Sequence, residues 1–591
     1  MNKVQEVILK NQLTELVTKK SYLQAEKMCA QMLQALPKDS PLWFTYGQVL
    51  QALNKNENAV KALLNASQPE SELAIQALEL AVSISSRCQF SALGFMAAQL
   101  LLKYKPEEEI SLFSFAQFAA ALHLNDLASS KYATLVSSFP DEGKYRVAYA
   151  KTLNHLGKND LALEQYEAAK ALDPSDDEPY FRGLFAQNYS QTLEDQEIAA
   201  AHKAFGRRLE EREPNVEGFA PRSQGKRIKV AYVSKDFLTH SVAYFFLAMI
   251  RNHNVEQFEV FCYSDSAPSK ADDITQIIKQ ESEHWIECHH LNDNELYKQI
   301  RQDEIDILVD LIGLTGEPRS GVYAKRAAPI QMNYLAYPNT FGLSRMDYRI
   351  TDDWADPVGL TEQYHSEKLI RLAGGFLCYT PEFAETELAE LPALTSGKVT
   401  FGSFNVFPKI TDQMFAAWAE ILLRVPDSQL LIKANIFNEK TNLAKIEQRF
   451  AALGIKKERL ILLAAIADKK SHLQVYDQVD IHLDTYPYNG TTTTCEALWQ
   501  GVPTITLQGK SHRSRVGTSI LNQVGLENYI TQSLEAYIDL AVASANKLPE
   551  LADLRRTMRE RLQNSLMLDG KRFMSELEEA YSQVMQASSE S

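Results

Sequence analysis

No stretch of this 591-residue chain approaches the ~18 consecutive apolar residues of a membrane-spanning helix, so passage through a bilayer is not expected. The opening segment, MNKVQEVILKNQLTELVTKK, interleaves charges with its apolar residues and lacks the continuous hydrophobic core of an export signal. Cysteine is scarce: six residues, Cys29, Cys88, Cys262, Cys288, Cys378 and Cys495, lie far apart. That scatter argues against a disulfide framework or a paired-cysteine metal site and fits a reducing cytoplasm. Basic charge is also short, with 61 Lys and Arg against 76 Asp and Glu and a net charge of −15. Nucleic acid and anionic membranes both need a basic face, so neither is an expected partner. What remains is ordinary for a soluble protein, 45% apolar and 23% charged, in a chain too long for one core.

The first 200 residues are repetitive. Small residues recur at Ala25, Ala59, Gly94, Ala128 and Ala162, spaced 34, 35, 34 and 34 apart, and Pro140 and Pro174 are also 34 apart. A 34-residue period is that of tetratricopeptide helix pairs, and about four to five such units fit, those between about 65 and 125 being degenerate. Stacked helix pairs form an elongated concave face that usually grips polypeptide. A protein acceptor or partner subunit would suit that face, and self-association is left open.

The texture turns charged and loop-like at 205–226, GRRLEEREPNVEGFAPRSQGKR, which reads as a linker. Strands then alternate with amphipathic helices: strand segments at 228–233, 258–263, 305–310 and 330–335 and, after a connector near 376–398, at 399–404, 429–433, 459–463, 479–483 and 504–507. Two doubly wound α/β halves are expected, residues 227–390 and 391–591, the second ending in helices, after helical repeats at 1–204. Ligands of such sheets lie beyond the carboxyl ends of the strands.

The most informative of these strand ends is VDIHLDTYPYNGTTTTCEALWQGVP, 479–503. A buried strand leads into a turn at Pro487 and Asn489-Gly490, and Thr491, Thr492, Thr493 and Thr494 open a helix through Glu496 and Trp499. A helix start gathers unpaired N–H groups and the positive end of the dipole, and the threonines add hydroxyl donors, a combination suited to phosphate oxygens. The plain alternative is ordinary N-capping, for which one threonine would do. The first half contributes His240, in SKDFLTHSV after the first strand, either a structural histidine or one that takes a proton from a hydroxyl or hydrogen-bonds a sugar. In the second half, GSFNVFPKIT brings Asn405 and Lys409 just ahead of a helix expected to start at Thr411. A lysine beside a helix start is unfavourable unless an anion binds there. His472, in KKSHL, could stack on a base. Cys288-His289-His290 lacks a second ligand pair, and the acidic runs 173–178 and 352–356 do not look like metal-binding strand ends, so no metal is expected.

The segments VAYVSKDFLTHSVAYF, DILVDLIGLT, APIQMNYLAYPNTFGLSRMDYRITD, FLCYTP, VTFGSFNVFPKIT and DIHLDTYPYNGTTTTCEALWQGVP together resemble the glycosyltransferase family of O-GlcNAc transferase and the plant protein SPINDLY, in order over about 225–585. The resemblance implies a GT-B fold, two Rossmann-like domains facing a cleft, after a tetratricopeptide-type α-solenoid, and no metal or other cofactor. It matches His240 to a catalytic base or sugar contact and Lys409 to the essential lysine on the donor diphosphate. His472 falls beside the nucleotide base, Thr492 and Thr493 on the phosphates, and Glu496 where an acid holds the ribose. Gly490, Thr491, Thr494, Asn405 and Lys469 complete the expected nucleotide-sugar site. Where O-GlcNAc transferase has a histidine this chain has Thr491, and FLCYTP and PNTFGL also look more like SPINDLY, a GDP-fucose-dependent enzyme; Lys469 sits where the UDP-GlcNAc branch has a lysine. The expected activity is inverting transfer of a sugar, GDP-fucose favoured over UDP-GlcNAc, to Ser or Thr of a protein. A glycan- or small-molecule-directed GT-B enzyme and a non-catalytic scaffold are the alternatives.

Overall fold

The computed structural model describes residues 3–68, 71–213, 216, 218–219, 225–381 and 387–590. The chain divides into two compact units, Met1–Leu156 and Gly157–Ser591.

The first unit is helical throughout its described residues, from Lys3–Thr18 to Gly143–His155. Its repeat is set by close helix crossings: Ala25, Ala59 and Ala128 are fully buried, and a Cβ at Gly94 would overlap the Phe118 ring. Phe115, Phe118, Tyr132 and Tyr145 fill the space between helices. The stretch read as degenerate forms regular helices, Ala74–Cys88, Ser91–Tyr104 and Glu109–Ala121. Among the described residues twelve helices precede the first strand, nine of them in this unit, where the periodicity predicts four to five pairs. Helix pairs need small residues at the crossings, which Ala77, Ala81, Ala97 and Ala98 supply, and can dispense with the recurrent loop residues by which repeats are recognised.

The second unit opens with the helices Asn159–Leu172, Glu178–Gln187 and Asp195–Arg212. Residues 205–212, read as linker, are therefore the last two turns of a helix. The charges of the run GRRLEER lie on its more exposed side, while Phe205, Gly206 and Leu209 are buried and a Glu194–Glu197 capping box starts it. Two parallel sheets follow. In the first, β1 (Ile228–Ser234), β2 (Phe258–Ser264), β3 (His284–Glu287), β4 (Ile307–Asp310), β5 (Ile330–Asn333), β6 (Tyr348–Thr351) and β7 (Lys368–Arg371) lie in the order 3-2-1-4-5-6-7. In the second, β8 (Thr400–Ser403), β9 (Gln429–Lys433), β10 (Leu460–Leu463), β11 (Ile481–Leu483), β12 (Thr504–Leu507) and β13 (Ile530–Thr531) lie in the order 10-9-8-11-12-13. Both are Rossmann-like, with strand order reversing beside β1 and β8, where a crevice opens beyond the strand ends. Strands β3, β6, β7 and β13 escape sequence reading because HWIE, YRIT, KLIR and IT are short and broken by polar or charged residues, without the apolar run that marks ILVD of β4 or LILL of β10.

The two lobes are not independent in sequence. The last helix, Gly570–Glu590, packs on the first lobe: Phe573, Leu577 and Tyr581 share a core with Val230, Tyr232 and Phe246, and His253 Nδ1 lies 2.9 Å from Glu578 Oε1. From the other side, the helix Asp195–Arg212 docks where Gly206 meets Gly342, and His202 Nε2 lies 2.6 Å from the Tyr337 hydroxyl. A Cβ at Gly206 would collide with the backbone of Gly342. Gly206→Ala should therefore cost about 1–3 kcal/mol by overpacking and lower the melting temperature in calorimetry, whereas alanine at the open position Gly218 should not.

Candidate active site

A cavity of about 490 Å³ lies between the two sheets. The first lobe contributes Lys235, Asp236, His240 and Thr315 from the ends of β1 and β4; the second contributes Asn405 and Lys409 after β8, and Tyr488, Thr491, Thr492 and Thr493 after β11. Phe185, from the helix Glu178–Gln187, completes the wall. Six sequence-predicted residues thus share one cavity: His240, Asn405, Lys409, Thr491, Thr492 and Thr493.

The floor is built on Asp484, fully buried just past β11. Its carboxylate accepts from the N–H of Gly490 (2.7 Å) and Thr485 (2.8 Å) and from the Thr506 hydroxyl (2.7 Å). Burial pushes its pKa up to about 6, against the pull of those donors and of Lys409. The turn it pins ends in the helix Thr492–Trp499, whose N-cap Thr491 makes no capping bond, so its hydroxyl remains available to a ligand. A Cβ at Gly490 would stand 2.5 Å from Thr493 Oγ1 and 2.9 Å from Asn405 Oδ1, so glycine permits the bond in which Thr493 donates to Asn405 at 2.9 Å. Thr494, by contrast, is buried and donates back to the Gly490 carbonyl at 3.3 Å, a structural use.

Lys409 lies in a short turn ahead of the helix Asp412–Arg424, which Thr411 caps through Met414 N–H as expected. Its ammonium donates to the Asn489 carbonyl at 2.7 Å and sits 3.7 Å from the centroid of the Tyr488 ring. Burial pulls its pKa down to about 8, with Asp484 partly offsetting the loss. The partners of this cation are thus a carbonyl and a ring face, with the Asp484 charge at longer range, an arrangement that a bound anion would complete. On the facing wall His240 is the N-cap of Ser241–Ile250, Nδ1 accepting from Val242 N–H at 3.3 Å with Asp236 Oδ2 3.6 Å away. Desolvation by the surrounding cavity walls lowers its pKa although the ring opens to the cavity, and Asp236 opposes that, which suits a largely neutral imidazole.

Lys469, His472 and Glu496 form a second group outside the cavity lining. Glu496 is nearly buried; it pairs with Lys469 and its Oε2 lies 2.9 Å from His472 Nε2. Burial resists its ionisation, but His472 and Lys469 outweigh that and hold it at about 2. Lys433, which the sequence reading passed over, contacts His472 Nδ1, and burial lowers its pKa to about 8. Glu496 therefore ties Lys469 and His472 together, with Lys433 on the far side of the imidazole. The reading also passed over Lys235, Asp236, Tyr488, Asp484 and His512. Lys235, Asp236, Tyr488 and Asp484 lie inside the quoted motifs, while His512 follows the β12 strand end, a junction whose rule applied equally. Asp352 and Asp356, discounted as metal ligands, are buried and bond Ser519 and His512 of the other lobe. Among the described residues Glu259, Glu283 and His284 come within metal-ligand spacing; they lie away from the cavity, and Arg227 pairs with Glu283 at 2.7 Å.

Comparison with known proteins gives consistent results. The profile of Glycosyl transferase family 41 matches residues 209–380 and 389–577. A Solanum lycopersicum protein named probable UDP-N-acetylglucosamine–peptide N-acetylglucosaminyltransferase SPINDLY is 37% identical over 417 residues, 69% of this chain and 44% of its own length. The SPINDLY of Arabidopsis thaliana is 38% identical over 420 residues, 69% of this chain and 45% of its own. This chain thus spans less than half the length of these relatives. Among solved structures, a mutant O-GlcNAc transferase of Thermobaculum terrenum superposes with a TM-score of 0.80 at 29% identity, covering 87% of this chain and 98% of that one.

The lysine carries a pH signature. Because folding lowers its pKa from the ordinary range to about 8, the folded state is penalised where Lys409 is held charged, and stability gains as pH rises from about 8 toward 10.4. An anion on the charged form reverses the preference. Affinity for a nucleoside diphosphate should then fall as pH rises through about 8, approaching tenfold per unit, and Lys409→Gln should flatten that slope in calorimetric titrations from pH 7 to 9.5.

Proposed function

Because the chain belongs to glycosyl transferase family 41, we propose that it moves a sugar from a nucleotide sugar to a Ser or Thr hydroxyl of a protein, with inversion and without a metal. The observation that carries this reading is the convergence of Lys409 and the helix start at Thr491, Thr492 and Thr493 on one wall of a cavity whose other wall holds His240.

A diphosphate lying against Lys409 and the uncapped helix start meets an ammonium, hydroxyl donors and backbone N–H groups. As the glycosidic bond breaks, negative charge grows on the leaving diphosphate, where these donors are already in place. The acceptor hydroxyl attacks the anomeric carbon from the side away from the leaving group. Its proton passes to His240, whose lowered pKa suits a base, or to a phosphate oxygen of the donor. Lys409 and the helix dipole supply the positive charge a metal would otherwise bring.

The helical repeats of the first unit are of a type that holds polypeptide, and the similar proteins are named for transfer to peptides, which supports a protein acceptor. For the donor we favour GDP-fucose over UDP-GlcNAc on the Gly490-Thr491-Thr492-Thr493 motif, where the GlcNAc branch has histidine in place of Thr491, although those relatives' names carry UDP-N-acetylglucosamine.

A thermal-shift and hydrolysis screen of the purified chain against GDP-fucose, UDP-GlcNAc and other nucleotide sugars should single out one donor. Absence of stabilisation and turnover with every donor would remove the reading. Lys409→Ala should then lower kcat by roughly 10²–10³-fold, about 2.7–4 kcal/mol of transition-state stabilisation, with an unchanged circular dichroism spectrum. Near-normal turnover by that variant would contradict the role given to Lys409.

A further inference from the structure

One imidazole in the cavity is used by none of these steps. His512 lies in the short turn His512–Ser514 that leads from β12 into the helix Val516–Gln523, and it lines the cavity although only 4% exposed. Its Nδ1 is 2.6 Å from Asp356 Oδ2, a residue of the other lobe. Asp356 is itself held in place: Oδ1 lies 3.2 Å from His365 Nε2, and the Thr351 hydroxyl donates to Oδ2. The Phe376 ring packs edge-on against His512 with centroids 5.1 Å apart. The ring is therefore fixed in plane and position.

An ionised carboxylate only accepts, so the proton of a neutral His512 sits on Nδ1 and Nε2 carries a lone pair. Burial pushes His512 down to about 4, against the pull of Asp356. Burial opposes ionisation of Asp356 too, but His512 and His365 hold it well below the usual carboxylate range. Among the described residues no hydrogen bond reaches Nε2, which leaves it for a ligand in the cavity. The next residue fixes where that ligand group lies: the Arg513 carbonyl accepts from Asn489 N–H at 2.9 Å, so the His512 turn runs beside the turn that ends at Gly490 and Thr491. A donor whose diphosphate occupies that helix start carries its sugar immediately beyond it.

We infer that His512 Nε2 hydrogen-bonds a hydroxyl group of the donor's sugar, with Asp356 as the positioning residue that sets the ring's tautomer and orientation across the two lobes. The inference rests on the nucleotide-sugar reading above. The competing role is a purely structural tie between lobes, and it differs in what it leaves intact.

The test compares affinity for the bare nucleoside diphosphate, by calorimetry, with kcat/KM for the nucleotide sugar that the wild-type protein turns over. His512→Leu should keep nucleoside diphosphate affinity within about twofold and lower kcat/KM roughly tenfold, the order of one lost hydrogen bond. Asp356→Asn, whose amide can donate to Nδ1 and so reverse the tautomer, should show the same sugar-restricted loss. Unchanged kcat/KM in a His512→Leu protein overturns the inference, as do equal losses for nucleotide and nucleotide sugar in a variant that melts like wild type. Should His512→Leu not fold, His512→Asn, with a polar group of shorter reach, is held to the same comparison. A wild-type protein that turns over no nucleotide sugar overturns the functional reading and this inference together; a turning-over wild type with an indifferent His512→Leu overturns this inference alone.

Discussion

A single buried carboxylate organises the floor of the cavity. Asp484 sits where β11 ends, in a position from which water is excluded, and every donor near it is recruited to satisfy it: two backbone N–H groups of its own turn, the Thr506 hydroxyl from the neighbouring strand and, at 3.4 Å, the Asn405 amide from the loop after β8. A buried charge left unpaired would cost several kcal/mol, so these bonds hold the turn in one shape. That shape presents Gly490 and the threonines to the cavity and leaves Lys409 bonded to the Asn489 carbonyl within the field of the carboxylate. The anion site is preorganised because Asp484 has no other way to be solvated.

The placing of these walls depends on chain segments that lie far away in sequence. Arg513 donates to the carbonyls of Gln187, Asn188 and Ser190 and to Asp195, clamping the second lobe to the helices that precede the first. Asn159 reaches the Pro408 carbonyl at 3.1 Å, next to Lys409. Phe185 reaches the cavity through this same helical segment. The last helix crosses back to the first lobe and shares its core. Both lobes are thus held by elements contributed from outside their own sheets, and the cavity between them inherits that rigidity.

Legibility in the sequence followed the length scale of each feature. The 34-residue period and the nine longer strand segments could be read because each repeats a chemical pattern over enough residues to exceed chance. Lys409 and the run of threonines stood out for another reason: four hydroxyls at one helix start, and a cation beside another, are unusual or locally unfavourable unless an anion is bound, although Thr494 turns inward. Asp484 and His512 were not, since an aspartate ending a strand and a histidine in a polar turn are unremarkable until their partners are known. The helical nature of 205–212 was hidden by counting its charges before its period, with Phe205 and Leu209 on the buried side.

The sequence by itself determined the helical repeat, the alternation of the longer strands with helices, the family and the residue types available at each strand end, because periodicity, turn chemistry and motif identity are properties of neighbours along the chain. Only the tertiary structure decided which of those residues share a cavity and which serve one another. Six of the residues singled out meet in the cavity, while Thr494 turns inward and Lys469, His472 and Glu496 satisfy each other beside it. The reason is burial: pairing and pKa are set by what is packed against a group from distant segments, as Asp356 is for His512 and Asn489 for Lys409, and no local pattern carries that information.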